Sequence, residues 1–213
     1  IDLHTHTTWS DGSFSPSELV TWAHQHGIQT LAITDHDTTD GLDEAYAAGQ
    51  PLNMDLISGI EISTRFQERE IHVLGYFIDY HDPTFQIRIH QLQSTRLQRI
   101  QSILQRLEDL GISLCLKDIQ LMAGSGSIGR PHIANMLIQK GHVATFNEAF
   151  EKYLGMRGKA YVPREAPEVS EILAWIREAG GVAILAHPFW EGYRAEAIDS
   201  ACRHLVEQGL QGL

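Results

Sequence analysis

"DLHTHTTWSDG" (residues 2–12) places two histidines and two aspartates within eleven residues. A buried imidazole or carboxylate is costly without a partner, so coordinating atoms at this density call for a shared role. On a strand, side chains i and i+2 share a face. His4 and His6 therefore lie together, with Ile1, Leu3 and Thr5 opposite, which predicts one ligating and one apolar face. Asp11 follows in a short loop, close enough to join the two rings.

The same pattern recurs along the chain. In "TLAITDHD" (30–37), Leu31 and Ile33 share one face, while Thr34 and His36 follow the other parity at the strand's end. In "LISGIEIS" (56–63), Glu61 shares a face with Gly59 and Ser63, leaving Ile60 and Ile62 to pack on helices. His72 alternates with Ile71 and Val73 in "EIHVLGYF" (70–77), and "VAILAHP" (182–188) ends in His187 before the strand-terminating Pro188. Strands are thus expected near 1–6, 29–34, 55–62, 70–78 and 181–187. Each delivers His or Glu at or near its C-terminal end, where βα folds assemble their sites, so these residues should converge. A cluster of imidazole and carboxylate without thiolate suits Mn, Fe, Zn or Mg. More than four ligands implies more than one ion.

Between the strands lie helical patterns, the signature of βα units and a largely parallel sheet. The first helix is the best marked: Ser15 and Glu18 form a capping box, Pro16 takes the first helical position and Gly27 ends it. From Pro83 to about Tyr161 the hydrophobic period becomes helical throughout. One long helix is expected over 85–111, then "RPHIANMLIQKG" (130–141) and "TFNEAFEKYLG" (145–155) after the loop "AGSGSIG" (123–129). The expected organisation is a discontinuous α/β unit, 1–82 and 163–213, carrying a helical insertion at 83–162. "LVEQGLQGL" (205–213) reads as a helix, a glycine stop and the start of another strand, so both ends read as trimmed.

The 213 residues, 43% hydrophobic and 20% charged, suit one main globular domain, and no apolar run reaches the roughly 20 residues of a membrane span. A net charge of -11 argues against an electrostatic grip on duplex nucleic acid but leaves room for a local anion pocket. Cys115 and Cys202 have neither CxxC spacing nor a disulfide framework, which fits a reducing cytoplasm. No signal peptide and no protein partner are inferred.

The segments "DLHTHTTWSDG", "AITDHDT", "GIEIS", "EIHVLGYF" and "AILAHP", in this order, resemble the PHP (polymerase and histidinol phosphatase) family. That resemblance implies a distorted seven-stranded (β/α) barrel with a trinuclear metal centre. "GRPHIA" (129–134) and "YLGMRGKAYVPR" (153–164) look like the branch that dephosphorylates nucleoside 3′,5′-bisphosphates and trims short RNA from its 5′ end. Carried over, His4, His6 and Glu61 hold one metal, Glu61 shares a second with His72 and His187, and Asp11 and His36 hold a third. The family completes the first and third sites with a late Asp-x-His that does not occur by Leu213, so only the second is expected to be complete on these residues.

These assignments imply a phosphoesterase with two to three divalent ions, Mn foremost, in which a metal-bridging hydroxide attacks phosphorus in line. Arg130, His132, Arg157 and Lys159 are the expected phosphate grip, with His132 also a candidate general acid. Trp9 and Tyr161 are candidates for base stacking or simple packing. Asp2 reads as a solvated strand-start carboxylate. The sequence does not choose between Asp35 and Asp37 as a support for the ligands. His24, His26, His81, His90, His142 and His204 read as surface residues. The expected substrates are phosphorylated nucleotides or short single-stranded RNA. The alternatives are a histidinol-phosphate-type metabolite phosphatase and a degenerate, non-catalytic module.

Overall fold

The computed structural model describes residues 1–67, 69–124, 126–188 and 195–213. β1 (Asp2–Thr5) leads through the loop of the opening motif to α1 (Pro16–Gln25). The capping box forms as expected: Glu18 N donates to Ser15 Oγ at 3.3 Å and Ser15 N to Glu18 Oε2 at 2.8 Å. β2 (Thr30–Ile33), α2 (Leu42–Gly49), β3 (Asp55–Phe66) and β4 (Arg69–Tyr76) follow. The helical stretch comprises α3 (Pro83–Asp109), α4 (Leu116–Ala123), α5 (Arg130–Gln139) and α6 (Phe146–Ala149), the last continuing into a π-helical turn over Phe150–Leu154. α7 (Val169–Glu178), β5 (Val182–Leu185) and α8 (Ala195–Glu207) return the chain to the sheet.

The described residues form one five-stranded mixed sheet in the order β1-β2-β3-β4-β5. This corrects the expectation of a largely parallel sheet. β1, β2 and β3 pair in parallel, but β3–β4 and β4–β5 are antiparallel. The physical reason is the length of the connection. Phe66 pairs with Arg69, and Gln67 adopts a left-handed φ of 47°. So short a link makes a hairpin, whereas a parallel neighbour needs a crossover of a dozen residues or more. Gly212 forms a single parallel bridge to Ile184 beyond β5.

The reversal decides where His72 falls. It lies in the first half of β4, opposite Ser63 of β3, not near a C-terminal strand end. Because β4 runs backwards, that half borders the edge where β1, β2 and β5 finish. Glu61, Ser63, Glu70 and His72 share one sheet face by register. Ile60 and Ile62 take the other, buried with Ile71 and Val73 against Ile172 and Ile176 of α7. The expected apolar face of β1 is not buried, since Ile1 and Leu3 are exposed.

α3 crosses from one core to another. Phe85, Ile89 and Leu92 join the sheet's core, whereas Ile100, Ile103 and Leu107 join a second core with Ile119, Ile133 and Leu137. Between the two, the same buried stripe carries Arg96 and Arg99. No helix of the described residues is long and apolar enough to cross a membrane.

Ile62 is fully buried on the face away from Glu61. Ile62→Ala is expected to destabilise the fold by about 2–5 kcal/mol through the cavity it leaves, read as a lower urea midpoint.

Candidate metal centre and anion pocket

The loop after β1 is folded by a carboxylate from the end of β2. Asp35 accepts from Thr7 N at 2.7 Å, Thr7 Oγ1 at 2.6 Å and Ser10 Oγ at 2.6 Å. Ser10 Oγ in turn lies 3.3 Å from His6 Nδ1, so the chain Asp35–Ser10–His6 orients that ring. The turn requires glycine at position 12, where a Cβ would stand 2.2 Å from the His6 carbonyl oxygen.

Glu61, its side chain only 1% exposed, lies at the focus of five imidazoles. Its Oε2 is 2.9 Å from His4 Nε2, 3.1 Å from His6 Nε2 and 3.5 Å from His36 Nδ1. Its Oε1 is 2.8 Å from His72 Nδ1 and 2.9 Å from His187 Nε2. The two oxygens thus face two different groups of rings, as a bridging ligand must. Asp11 extends the cluster, with Oδ1 3.6 Å from His6 Nδ1 and Oδ2 3.8 Å from His36 Nε2.

Burial alone would raise the Glu61 pKa, but hydrogen bonds from His187, His4, His6 and His72 hold it far below the carboxylate range. Burial likewise opposes charge on His72, yet Glu61 and Glu70 push it up to about 9. His36 goes the other way, its pKa lowered chiefly by burial. Its Nδ1 is buried without a hydrogen-bond partner.

A neutral imidazole with an unused ring nitrogen suits a metal ligand. Three groups have donor atoms close enough to share an ion: His4–His6–Glu61, His6–Asp11–His36 and His36–Glu61–His72. Nitrogen and oxygen donors without thiolate fit divalent metal ions. The backbone is strained at this edge, with left-handed φ at Asp37 (52°) and His187 (32°).

Beside the cluster opens a pocket lined in part by Asp11, His36, His72, Glu70 and four arginines, Arg96, Arg99, Arg130 and Arg164. Asp37, fully buried, accepts from Arg96 Nη1, from Arg164 Nη2 at 2.6 Å and from Ser63 N at 3.0 Å. Burial would raise its pKa, but Arg164 and Arg96 hold it well below the usual range. Glu70 lies 3.1 Å from Arg99 Nη2, 3.6 Å from Arg130 Nη2 and 3.8 Å from Arg164 Nη1.

All seven expected metal ligands come together. The expected phosphate grip does not. Arg130 lines the pocket, whereas Arg157 and Lys159 are exposed and absent from its lining. The backbone explains this, since Lys159 N and Ala160 N bond back to Lys152 and Tyr153 carbonyls in a self-contained turn. His132 is buried behind the Asp11 loop, its Nδ1 accepting from Gly129 N at 3.1 Å. It lines a neighbouring cavity with Trp9 and Ser10 and hydrogen-bonds the Ser10 backbone, so it ties the helical segment to the loop and is not part of the arginine pocket's lining.

Both aromatic candidates have protein partners. A Cβ at Gly41 would meet the Trp9 ring at 2.7 Å, and the Arg99 guanidinium lies over the Tyr161 ring at 5.8 Å. Asp2 accepts from the His4 backbone at 3.4 Å. The six histidines read as surface residues are all exposed. Sequence reasoning missed Arg96, Arg99 and Arg164. The signal for the first two was present, as two arginines in the stripe 85-89-92-96-99-103-107 that an amphipathic helix otherwise fills with apolar residues.

Asp37→Ala removes the buried carboxylate that Arg96 and Arg164 share, an expected loss of about 3–5 kcal/mol in chemical denaturation at neutral pH. The pH dependence follows from the depressed pKa of Asp37 in the fold. Its contribution is complete above the unfolded carboxylate value of about 3.9 and is lost as pH falls below it. The wild type should therefore lose more stability than Asp37→Ala between about pH 5 and pH 3.

The PHP domain model matches residues 2–178. The chain is 38% identical over 187 residues to a 5′-3′ exoribonuclease of Haemophilus influenzae, covering 88% of this chain and 68% of that protein. It is 33% identical over 189 residues to a 3′,5′-nucleoside bisphosphate phosphatase of Chromobacterium violaceum, covering 88% of this chain and 66% of the relative. It thus spans about two thirds of the length of these relatives. Among solved structures, an amidohydrolase from Chromobacterium violaceum with bound sulfate and no metal superposes with a TM-score of 0.93 at 31% identity, over 99% of this chain and 75% of that one. With the model matched from the first strand through α7, this chain belongs to the PHP domain family.

Proposed function

We propose that this chain is a metal-dependent phosphoesterase that hydrolyses phosphate esters of nucleotides, namely the 3′-phosphate of nucleoside 3′,5′-bisphosphates, the 5′ end of short single-stranded RNA, or both. The observation that carries the reading is the adjacency of two unlike sites: a carboxylate ringed by imidazoles, and a pocket walled by four guanidiniums. A nucleotide with two phosphate groups can engage both at once. The names of the two curated relatives point to the same chemistry.

In this reading His4, His6, Asp11, His36, Glu61, His72 and His187 hold divalent ions, with Mn the proposed metal. Bound there, such ions supply an activated water at neutral pH and charge stabilisation at phosphorus. The protein supplies placement. Glu61 fixes the spacing of the rings on its two oxygens. Asp35, through Thr7 and Ser10, fixes the loop that carries Asp11. Arg130 and its neighbours orient the second phosphate, since guanidinium groups match phosphate oxygens. The proposed division of labour gives 1–82 and 163–213 the metal site and the insertion, 83–162, much of the anion wall. The free thiols Cys115 and Cys202 accord with the cytoplasmic setting proposed here.

Phosphate release from adenosine 3′,5′-bisphosphate and from histidinol phosphate, measured side by side on Mn-loaded protein, tests the substrate class. Preference for the bisphosphate is expected, and preference for histidinol phosphate would overturn it. Glu61→Gln should abolish both activity and calorimetric Mn binding. Arg130→Ala should lower kcat/KM by about ten- to one-hundred-fold, the worth of a hydrogen bond to a charged group, while Arg157→Ala stays near wild type. Unchanged efficiency in Arg130→Ala would remove that residue from the site.

A further inference from the structure

Glu70 is a carboxylate inside the pocket assigned to a phosphate group. It stands on β4 two residues before His72, on the same sheet face. Arg99 meets it at 3.1 Å, Arg130 at 3.6 Å and Arg164 at 3.8 Å. The last two distances exceed a hydrogen bond, so those guanidiniums are attracted to Glu70 without having their donors saturated. Arg99 Nη1 donates to Glu70 Oε1 at 3.2 Å, while its Nη2, close to the other oxygen, is buried without a well-formed hydrogen bond. Asp37 holds Arg96 and the other end of Arg164 from behind. Among these six side chains, four guanidiniums against Glu70 and Asp37 leave an excess of positive charge facing the pocket.

A phosphate drawn to Arg130 and Arg99 must share them with Glu70 and accept repulsion from it at a few ångströms. We propose that Glu70 is a specificity-determining residue, a resident anion that competes for the arginines and so limits the pocket's hold on any single phosphate group. Free inorganic phosphate gains little there, whereas a ligand also anchored at the metal cluster tolerates the competition. The nucleoside monophosphate product, once its other phosphate has been cleaved at the metal cluster, is then held only by this moderated pocket and leaves readily. The inference rests on the anion pocket of the proposed function and adds the reason its affinity is moderated.

Calorimetric titration of inorganic phosphate into the metal-loaded full chain, repeated after chelation, tests this on wild type, Glu70→Gln, Glu70→Asp and Arg130→Ala. Glu70→Gln is expected to bind phosphate at least about ten-fold more tightly, in both metal states, and to show a matching fall in the product-inhibition constant. Glu70→Asp, which keeps the charge, should return to within about three-fold of wild type. Thermal melts establish that each variant is folded. Equal or weaker phosphate binding by a folded Glu70→Gln would show that the carboxylate braces the arginines, and would overturn the proposal while leaving the pocket intact. Phosphate binding that Arg130→Ala does not weaken would overturn the pocket together with the proposal, a result distinguishable from the first.

Discussion

A single buried carboxylate organises this molecule. Glu61 lies in the middle of the longest strand, with scarcely any solvent on its side chain, and an isolated charge there would be prohibitively unfavourable. The fold meets this by bringing an imidazole from each of the other strands, or from just beyond it, to one of the two oxygens. The need to satisfy Glu61 and the need to assemble a metal site are therefore the same geometric requirement. It also accounts for the strain nearby. The left-handed turns at Asp37 and His187 are unfavourable for residues with side chains, and they are tolerated where they swing His36 and His187 onto the carboxylate.

A second buried carboxylate couples the sheet to the helical segment. Asp37 follows His36 directly, and its amide donates to the Glu61 carbonyl at 3.0 Å. Its side chain receives Arg96 from α3 and Arg164 from the returning chain. The imidazole cluster and the anion wall are thus joined through covalent neighbours and ion pairs. In a dry setting such pairs hold geometry more than they add stability, and geometry is what the proposed two-phosphate site requires.

The charge pattern reconciles an acidic protein with the anionic substrate proposed for it. The excess of carboxylates over the whole chain gives a net charge of -11, yet the pocket concentrates four guanidiniums where their attraction is least screened. A concentration of positive charge in a concavity suits the small or single-stranded phosphate esters proposed as substrates better than the broad backbone of a duplex.

The sequence by itself determined the strands, the first helix with its capping box, the length of α3 and the seven side chains of the cluster centred on Glu61. These depend on short-range rules: alternation on strands, capping chemistry, and the preference of βα units for sites at strand ends. It misjudged what depends on how separate segments meet. A two-residue connection turned β4 antiparallel, so His72 reaches the cluster from the first half of its strand. Arg157 and Lys159 stand beside the right motif but turn outward, because local backbone bonds close their loop on itself. Arg96, Arg99 and Arg164 become one wall only when a helix, a return segment and β4 pack together. Which of Asp35 and Asp37 braces which ligand was likewise decided by tertiary contact. Side-chain type and spacing are local properties of the chain, whereas the partner of a buried charge is chosen by whatever the fold places opposite it.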